Sequence, residues 1–419
     1  MTDSRLLRRR RVAATSVVLV GALAACGGPP VSSRGEQQAA RREPATAVEQ
    51  LQQQQPASQP AGAREPTART PVKADAGVDP IRHRLASMSL RDKARQLIVV
   101  GFPGTSAPTA AIRNLHPGGL IYFRANLQSR EQIQALSHQA QRLSRQIGQP
   151  LLTMTDQEGG VVTRIPGTED IPGGAEFAGD ARWARRTAHS TGDLLHRLGI
   201  NVDLAPIADV NTAGSGGIIG YRSFSSDPTV AARLVRAQVC GYHAGGVAPA
   251  AKHFPGHGST TTDSHASTAI IDESAPTWRR LDRPPFDAAV RSSADVVMVG
   301  HLAFPAIDST GRPATISGPL LRGLLRQRLG FDGVVITDAL NMGGITSWGS
   351  SRQIAVRAIG AGVDLLLMPP EPAEAVRGVL KAVHDGRLTE ARVNVSVERI
   401  LRLKQRLGLY AAASSLPTC

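Results

Sequence analysis

From Leu97 onward the apolar residues fall in short, near-continuous runs, each ending on a polar residue or glycine before an amphipathic stretch begins. The runs are Leu97–Phe102, Gly119–Phe123, Leu151–Asp156, Asn201–Pro206, Val247–Phe254, Val296–His301, Gly333–Asp338 and Val363–Pro369. Runs without polar alternation predict strands buried on both faces, as in a parallel sheet flanked by helices. Helical spacing predicts helices over Arg130–Ile147, Asp180–Leu198, Thr229–Gly241 and Ser350–Ala361. Eight alternations in roughly 310 residues predict an α/β protein, a single (β/α)8 TIM barrel with long loops. A doubly wound open sheet is the alternative. No Walker motif occurs, and the glycines from Gly214 to Gly220 miss the dinucleotide-binding spacing.

The pattern before Leu97 is different. Arg8-Arg9-Arg10-Arg11 precede an uncharged run from Val12 to Ala25, which ends at Cys26. A basic start followed by a short apolar run predicts a secretory signal peptide over residues 1–25. The run is too short to span a bilayer comfortably, which takes about 20 residues. Leu23-Ala24-Ala25-Cys26 resembles a bacterial lipobox, which implies cleavage before Cys26 and lipidation of its sulfur. Residues 26–78 then hold Gln52-Gln53-Gln54-Gln55, several prolines and no aromatic residue. Such a segment cannot bury enough apolar surface to order itself. It predicts a flexible, disordered tether carrying a catalytic domain over residues 79–412, with a short tail at 413–419. The expected location is the outer face of a bacterial cell membrane, through the lipid on Cys26.

The chain has 419 residues and a formal net charge of +14, with 4% aromatic residues. Its basic residues are scattered through helices and tether, and aromatics are too sparse for base stacking, which argues against nucleic acid as a partner. Three cysteines rule out a disulfide-built scaffold. Cys240 lies in an Ala/Val/Gly-rich helical pattern and reads as a small core residue, in preference to a disulfide with the terminal Cys419.

Four polar residues, Asp156, His253, His301 and Asp338, end four of the predicted strands. In a barrel those ends converge on one mouth, where catalytic groups are found. Any one alone reads equally as a helix cap. A double displacement needs a nucleophile on one side of the reacting carbon and an acid/base on the other. Asp338 suits the first role. His265 suits the second, because Asp263 two residues earlier can accept from one imidazole nitrogen and raise the basicity of the other. In isolation Asp263-Ser264-His265 reads as a turn with local hydrogen bonds.

The stretch Lys252-His253-Phe254-Pro255-Gly256-His257-Gly258 with Asp263-Ser264-His265 resembles glycoside hydrolase family 3, in its bacterial β-N-acetylglucosaminidase branch and its single-domain, lipoprotein form. Thr155-Asp156-Gln157-Glu158-Gly159-Gly160 with Arg164, Arg222-Ser223-Phe224 with Asp227-Pro228, Ile336-Thr337-Asp338-Ala339-Leu340 and the closing stretch Arg399–Leu409 match in the same order. The resemblance covers roughly residues 80–410. It implies Asp338 as nucleophile, His265 as proton donor and acceptor assisted by Asp263, and Asp156, Arg164, Arg222, Lys252 and His253 as sugar ligands. It implies no cofactor and no metal, and a monomer. His301 and Met342 fall near the mouth without an assigned role. Many members have Asp where this chain has Ser259, which removes a negative charge near the His265 loop.

The implied reaction is a double displacement that releases terminal non-reducing β-linked N-acetylglucosamine from peptidoglycan fragments in wall turnover or recycling. Three alternatives stand beside it. A phosphorylase, or another β-glycosidase of the same fold, would share the site, since a neutral histidine repels phosphate less than a glutamate would. A metallohydrolase would use His253, His257, Asp263 and His265, although no His-x-His occurs in the chain. A non-catalytic lipoprotein would only bind wall glycan.

Overall fold

A computed structural model describes residues 79–410 and 415–418. The proposed signal peptide, Cys26 and the tether lie outside the described residues, as do residues 411–414 and Cys419. Eight strands follow the eight apolar runs, each trimmed at its ends: β1 Ile98–Val100, β2 Gly119–Ile121, β3 Leu152–Thr155, β4 Val202–Asp203, β5 Ala248–Phe254, β6 Val296–Val299, β7 Val334–Thr337 and β8 Leu366–Leu367.

All the strand pairings are parallel and join each strand to its chain neighbour from β1 to β7, while β8 pairs with β1. A parallel bridge between Ile336 and Leu365 joins β7 to β8 and closes the circle. The open-sheet alternative is thereby excluded. Every strand residue is buried, as the unalternating runs require when helices cover the outside and side chains fill the inside.

The helices begin where the sequence supplies an oxygen for the free N–H groups of a first turn. Ser129 starts Arg130–Gln146, Asp180 starts Ala181–Arg197, and Asp227 with Pro228 starts Pro228–Ala244. Ser350 and Gln353 form a capping box before Ser351–Ala361. The closing helix runs Glu390–Arg406, longer at its start than the motif match suggested. Beneath β7 and β8, fully buried Asp364 accepts from the Val335 N–H at 3.0 Å, Arg326 at 2.6 Å and Ser396 at 2.6 Å, fixing the floor of the strands that carry Asp338. Among the described residues no helix is long and apolar enough to cross a membrane.

One reading from the sequence is corrected. Cys240 is buried as expected, but it is disulfide-bonded and not a free core thiol. Residue spacing could not supply this, because a disulfide depends on which distant segment folds against the helix.

Candidate active site

The loops after β2 to β5, β7 and β8, with Met298 of β6, enclose a cavity of about 430 Å³ at the C-terminal mouth of the barrel. Every catalytic and sugar-binding residue expected from the sequence lines it: Asp338, His265, Asp263, Asp156, Arg164, Arg222, Lys252 and His253. Met342 lines it too, while His301 supports it from behind.

Asp338 directly follows β7. Its N–H donates to the Val299 carbonyl of β6, and its Oδ1 accepts from the Ala339 N–H at 2.7 Å. Burial alone would push this carboxyl up. The His253 and His301 imidazoles and the Ala339 N–H outweigh it, and the pKa sits below the ordinary carboxylate range. A permanently ionised carboxylate is what a nucleophile requires. His301 is fully buried between the Thr315 hydroxyl (2.7 Å) and the Ala339 carbonyl (3.0 Å), and burial lowers its pKa. It therefore braces the Asp338 turn.

Adjacent side chains of a regular strand point to opposite faces. Lys252 and His253 nevertheless both reach the cavity, because the register of β5 against β6 shifts between Ala251 and Phe254. The Lys252–His253 and Phe254–Pro255 peptides are cis. Lys252 Nζ, only 2% exposed, donates to Asp156 Oδ1 at 2.6 Å and to Glu158 Oε1 at 2.7 Å. Burial works against its charge, but Asp156 and Glu158 prevail and its pKa is raised. Arg222 meets Glu158 with a planar fork, Nε to Oε2 and a terminal nitrogen to Oε1, each at 2.8 Å.

Two functional residues escaped the sequence reading. Glu158 stands inside the matched Thr155–Gly160 motif, yet its role appears only when Lys252 and Arg222 close on it. Burial would raise its pKa, but the two cations bring it down to about 2. Asp209, fully buried after β4, accepts from His253 Nδ1 at 2.7 Å and from the His253 and His257 backbone N–H groups at 3.1 and 2.8 Å. It sets the His253 ring orientation. The only sequence signal for Asp209 was a lone carboxylate in the otherwise apolar Ile207–Val210 run.

Glu158→Gln is therefore expected to leave Lys252 and Arg222 without their common anion. Removing one partner of a buried pair costs about 3–5 kcal/mol. Urea denaturation should show a loss of that order, and KM should rise more than kcat falls. For the native chain the carboxylate's contribution is complete above the ordinary glutamate range and is lost as the pH falls toward 2.

His265 occupies the tip of the loop after β5. Its Nδ1 and its backbone N–H both bond to Asp263 Oδ1, at 2.7 and 2.9 Å, and the imidazole is 73% exposed. Burial opposes the Asp263 charge, but the His265 N–H and ring together overcome it and hold Asp263 below its usual range. The other ring nitrogen is thus left for proton transfer. Behind the tip, buried His257 bonds to the Ser264 hydroxyl at 3.0 Å. Burial first, and His253 second, push its pKa down to about 4, which keeps it neutral.

The loop is anchored on three sides. Gly258 O accepts from the Thr212 and Ala213 N–H groups of the β4 loop, both at 3.0 Å. Ala269–Ile270 pairs in parallel with Leu302–Ala303 of the β6 loop. At the tip, the Gly343 N–H donates to His265 O at 2.7 Å and the Gly344 N–H to Ser264 O at 3.0 Å. Both glycines are required by contact: a Cβ on Gly343 would meet Ala266 O at 2.2 Å, and one on Gly344 would meet Ser264 O at 2.6 Å. The loop that follows Asp338 therefore grips the loop that carries His265. Ser259 lies in the anchored base of this loop and holds no part of the dyad. Among the described residues no three His, Cys, Asp or Glu side chains converge as a metal-holding group; His253, His257 and His265 turn instead to Asp209, Ser264 and Asp263.

Comparison with known proteins identifies the family. A family model described as the glycosyl hydrolase family 3 N terminal domain matches residues 89–403. The beta-hexosaminidase A of Pseudoalteromonas piscicida is 34% identical over 329 residues, covering 71% of this chain and 55% of that protein. The beta-hexosaminidase of Mannheimia succiniciproducens is 36% identical over 286 residues, covering 66% of this chain and 79% of that protein. Among solved structures, a glycoside hydrolase family 3 beta-N-acetylglucosaminidase from Paenibacillus sp. str. FPU-7 aligns with a TM-score of 0.75 and 39% identity, covering 80% of this chain and 65% of that one. The chain thus spans less than two thirds of the first and the last of these relatives.

Proposed function

The chain belongs to glycosyl hydrolase family 3, and from that premise we propose that it is a retaining exo-β-N-acetylglucosaminidase. One observation carries the reading. A carboxylate held ionised at the end of β7 and an exposed imidazole backed by Asp263 line the same cavity, on loops bonded to each other. The names of the similar proteins, beta-hexosaminidase and beta-N-acetylglucosaminidase, support the sugar.

In the first step a carboxylate oxygen of Asp338 bonds to the anomeric carbon. The bond to the leaving oxygen breaks, its electron pair stays on that oxygen, and the proton of His265 moves there. In the second step His265 takes a proton from water, whose oxygen displaces Asp338 and releases the sugar with its anomeric configuration restored. Asp156 accepts from sugar hydroxyls. Lys252, Arg164 and Arg222 present donors only, and so read hydroxyl and acetamide oxygens. Lys252 and Arg222 arrive already neutralised by Asp156 and Glu158, so a neutral sugar enters without stranding a bare charge.

The biological reading is peptidoglycan fragments as substrate, an exported chain lipidated at Cys26, and a role in wall turnover. The disulfide at Cys240 supports an oxidising compartment. The test is a 2-fluoro or 5-fluoro sugar trap with peptide mapping, run beside an aryl-glycoside panel and proton NMR of the first product. The expected results are a label between Gly333 and Met342, cleavage of the β-N-acetylglucosaminide well above the β-glucoside, and β-configured free sugar. A label elsewhere overturns the nucleophile. Sugar 1-phosphate as the main product in phosphate buffer would make the chain a phosphorylase.

A further inference from the structure

The reaction uses the polar lining of the cavity but not the apolar side chains on its rim. The chain has four tyrosines. Tyr122 and Tyr242 are buried and Tyr410 lies half-buried against Arg84, whereas Tyr221 is 80% exposed. Val161 is 86% exposed, and these two are the most exposed large apolar side chains among the described residues. Scattered exposed apolar residues are ordinary, but clustering beside a functional cleft is not.

Neither side chain lines the catalytic cavity itself, but each adjoins a residue that does. Val161 precedes Val162, which lines the cavity, and Tyr221 precedes Arg222, whose guanidinium is locked on Glu158. Their loops abut through Gly173, where a Cβ would lie 3.3 Å from Gly160 Cα and 4.0 Å from Tyr221 O.

The Tyr221 loop is also bonded to the base of the loop that carries the acid. The Ile218 N–H donates to Thr260 O at 3.3 Å, in addition to the two bonds onto Gly258 O. A proton donor must face the leaving oxygen. The departing part of the substrate therefore emerges on this flank. Next to Tyr221 lies a groove of about 270 Å³ whose walls include Gly214, Ser215, Gly220 and Ser226. The glycines leave open space, and the serines offer hydroxyls that both donate and accept.

We propose that Tyr221 is the platform for the sugar unit on the leaving side of the scissile bond. The apolar face of a pyranose rests on the phenol ring, and the chain continues toward the Ser215–Ser226 groove. This rests on the β-N-acetylglucosaminidase reading and extends it. The site makes the enzyme prefer β-linked oligosaccharides to simple glycosides.

The test compares two substrates: N-acetyl-β-glucosaminyl fluoride, whose leaving group has no bulk, and a β-linked N-acetylglucosamine disaccharide. Tyr221→Ala should lower kcat/KM for the disaccharide by roughly three- to tenfold, the size of one aromatic contact, and leave the fluoride unchanged. Tyr221→Trp should restore disaccharide cleavage. An equal loss on both substrates would show only general damage to the site, and no loss on the disaccharide would remove the platform; either overturns the proposal. If the native chain cleaves neither substrate, the functional reading fails instead.

Discussion

Asp338→Ala should lower turnover by at least about a thousandfold, the scale on which loss of a covalent nucleophile acts, while the sugar still binds. The cavity predicts this separation. Lys252, Asp156, Glu158 and Arg222 form a closed set of ion pairs that does not include Asp338. Isothermal titration with N-acetylglucosamine should give an affinity within a few-fold of the native value. Asp338→Asn should behave likewise, because the amide keeps the shape and a bond to the Ala339 N–H but cannot attack. Turnover that survives both substitutions would mean that another group carries the sugar. Asp338 is ionised below the ordinary carboxylate range, so this group should not set the acid limb of activity above about pH 4.

His265→Ala should cost about 10²–10⁴-fold in kcat/KM on a disaccharide, the usual range for a lost general acid. A dinitrophenyl glycoside should lose far less, because its leaving group departs without a proton. Azide should restore part of its turnover and yield glycosyl azide, since the small anion replaces activated water. The contrast between leaving groups is the diagnostic reading, and an equal loss on both would reassign His265 to a structural role. Asp263→Asn should give a smaller loss on the disaccharide, because a neutral amide holds the ring tautomer and orientation less firmly than the carboxylate that bonds to Nδ1 at 2.7 Å.

The sequence made the barrel legible because burial on both faces leaves a simple mark, a run of apolar residues with no alternation. Strand ends were overestimated, since Gly101–Phe102 after β1 and Leu204-Ala205-Pro206 after β4 stay apolar after the ladder stops. The catalytic residues were legible for a related reason: they stand at strand ends or on the loops that follow. Their partners were not. Glu158 reaches Arg222 across 64 positions of sequence, and Asp209 reaches His253 across 44. Only the closed barrel brings such pairs together. The shifted register of β5, which turns Lys252 and His253 to one side, and the disulfide at Cys240 were illegible for the same reason.

The grip of Gly343 and Gly344 on the His265 loop is made entirely of main-chain groups. Alignment of the attacking and protonating arms is thus insulated from most side-chain variation in either segment. The rim can accumulate substitutions and acquire new saccharide preferences while the spacing of the reacting groups stays constant. Adjustment of that spacing is confined to two positions where any side chain at all collides with the opposing backbone.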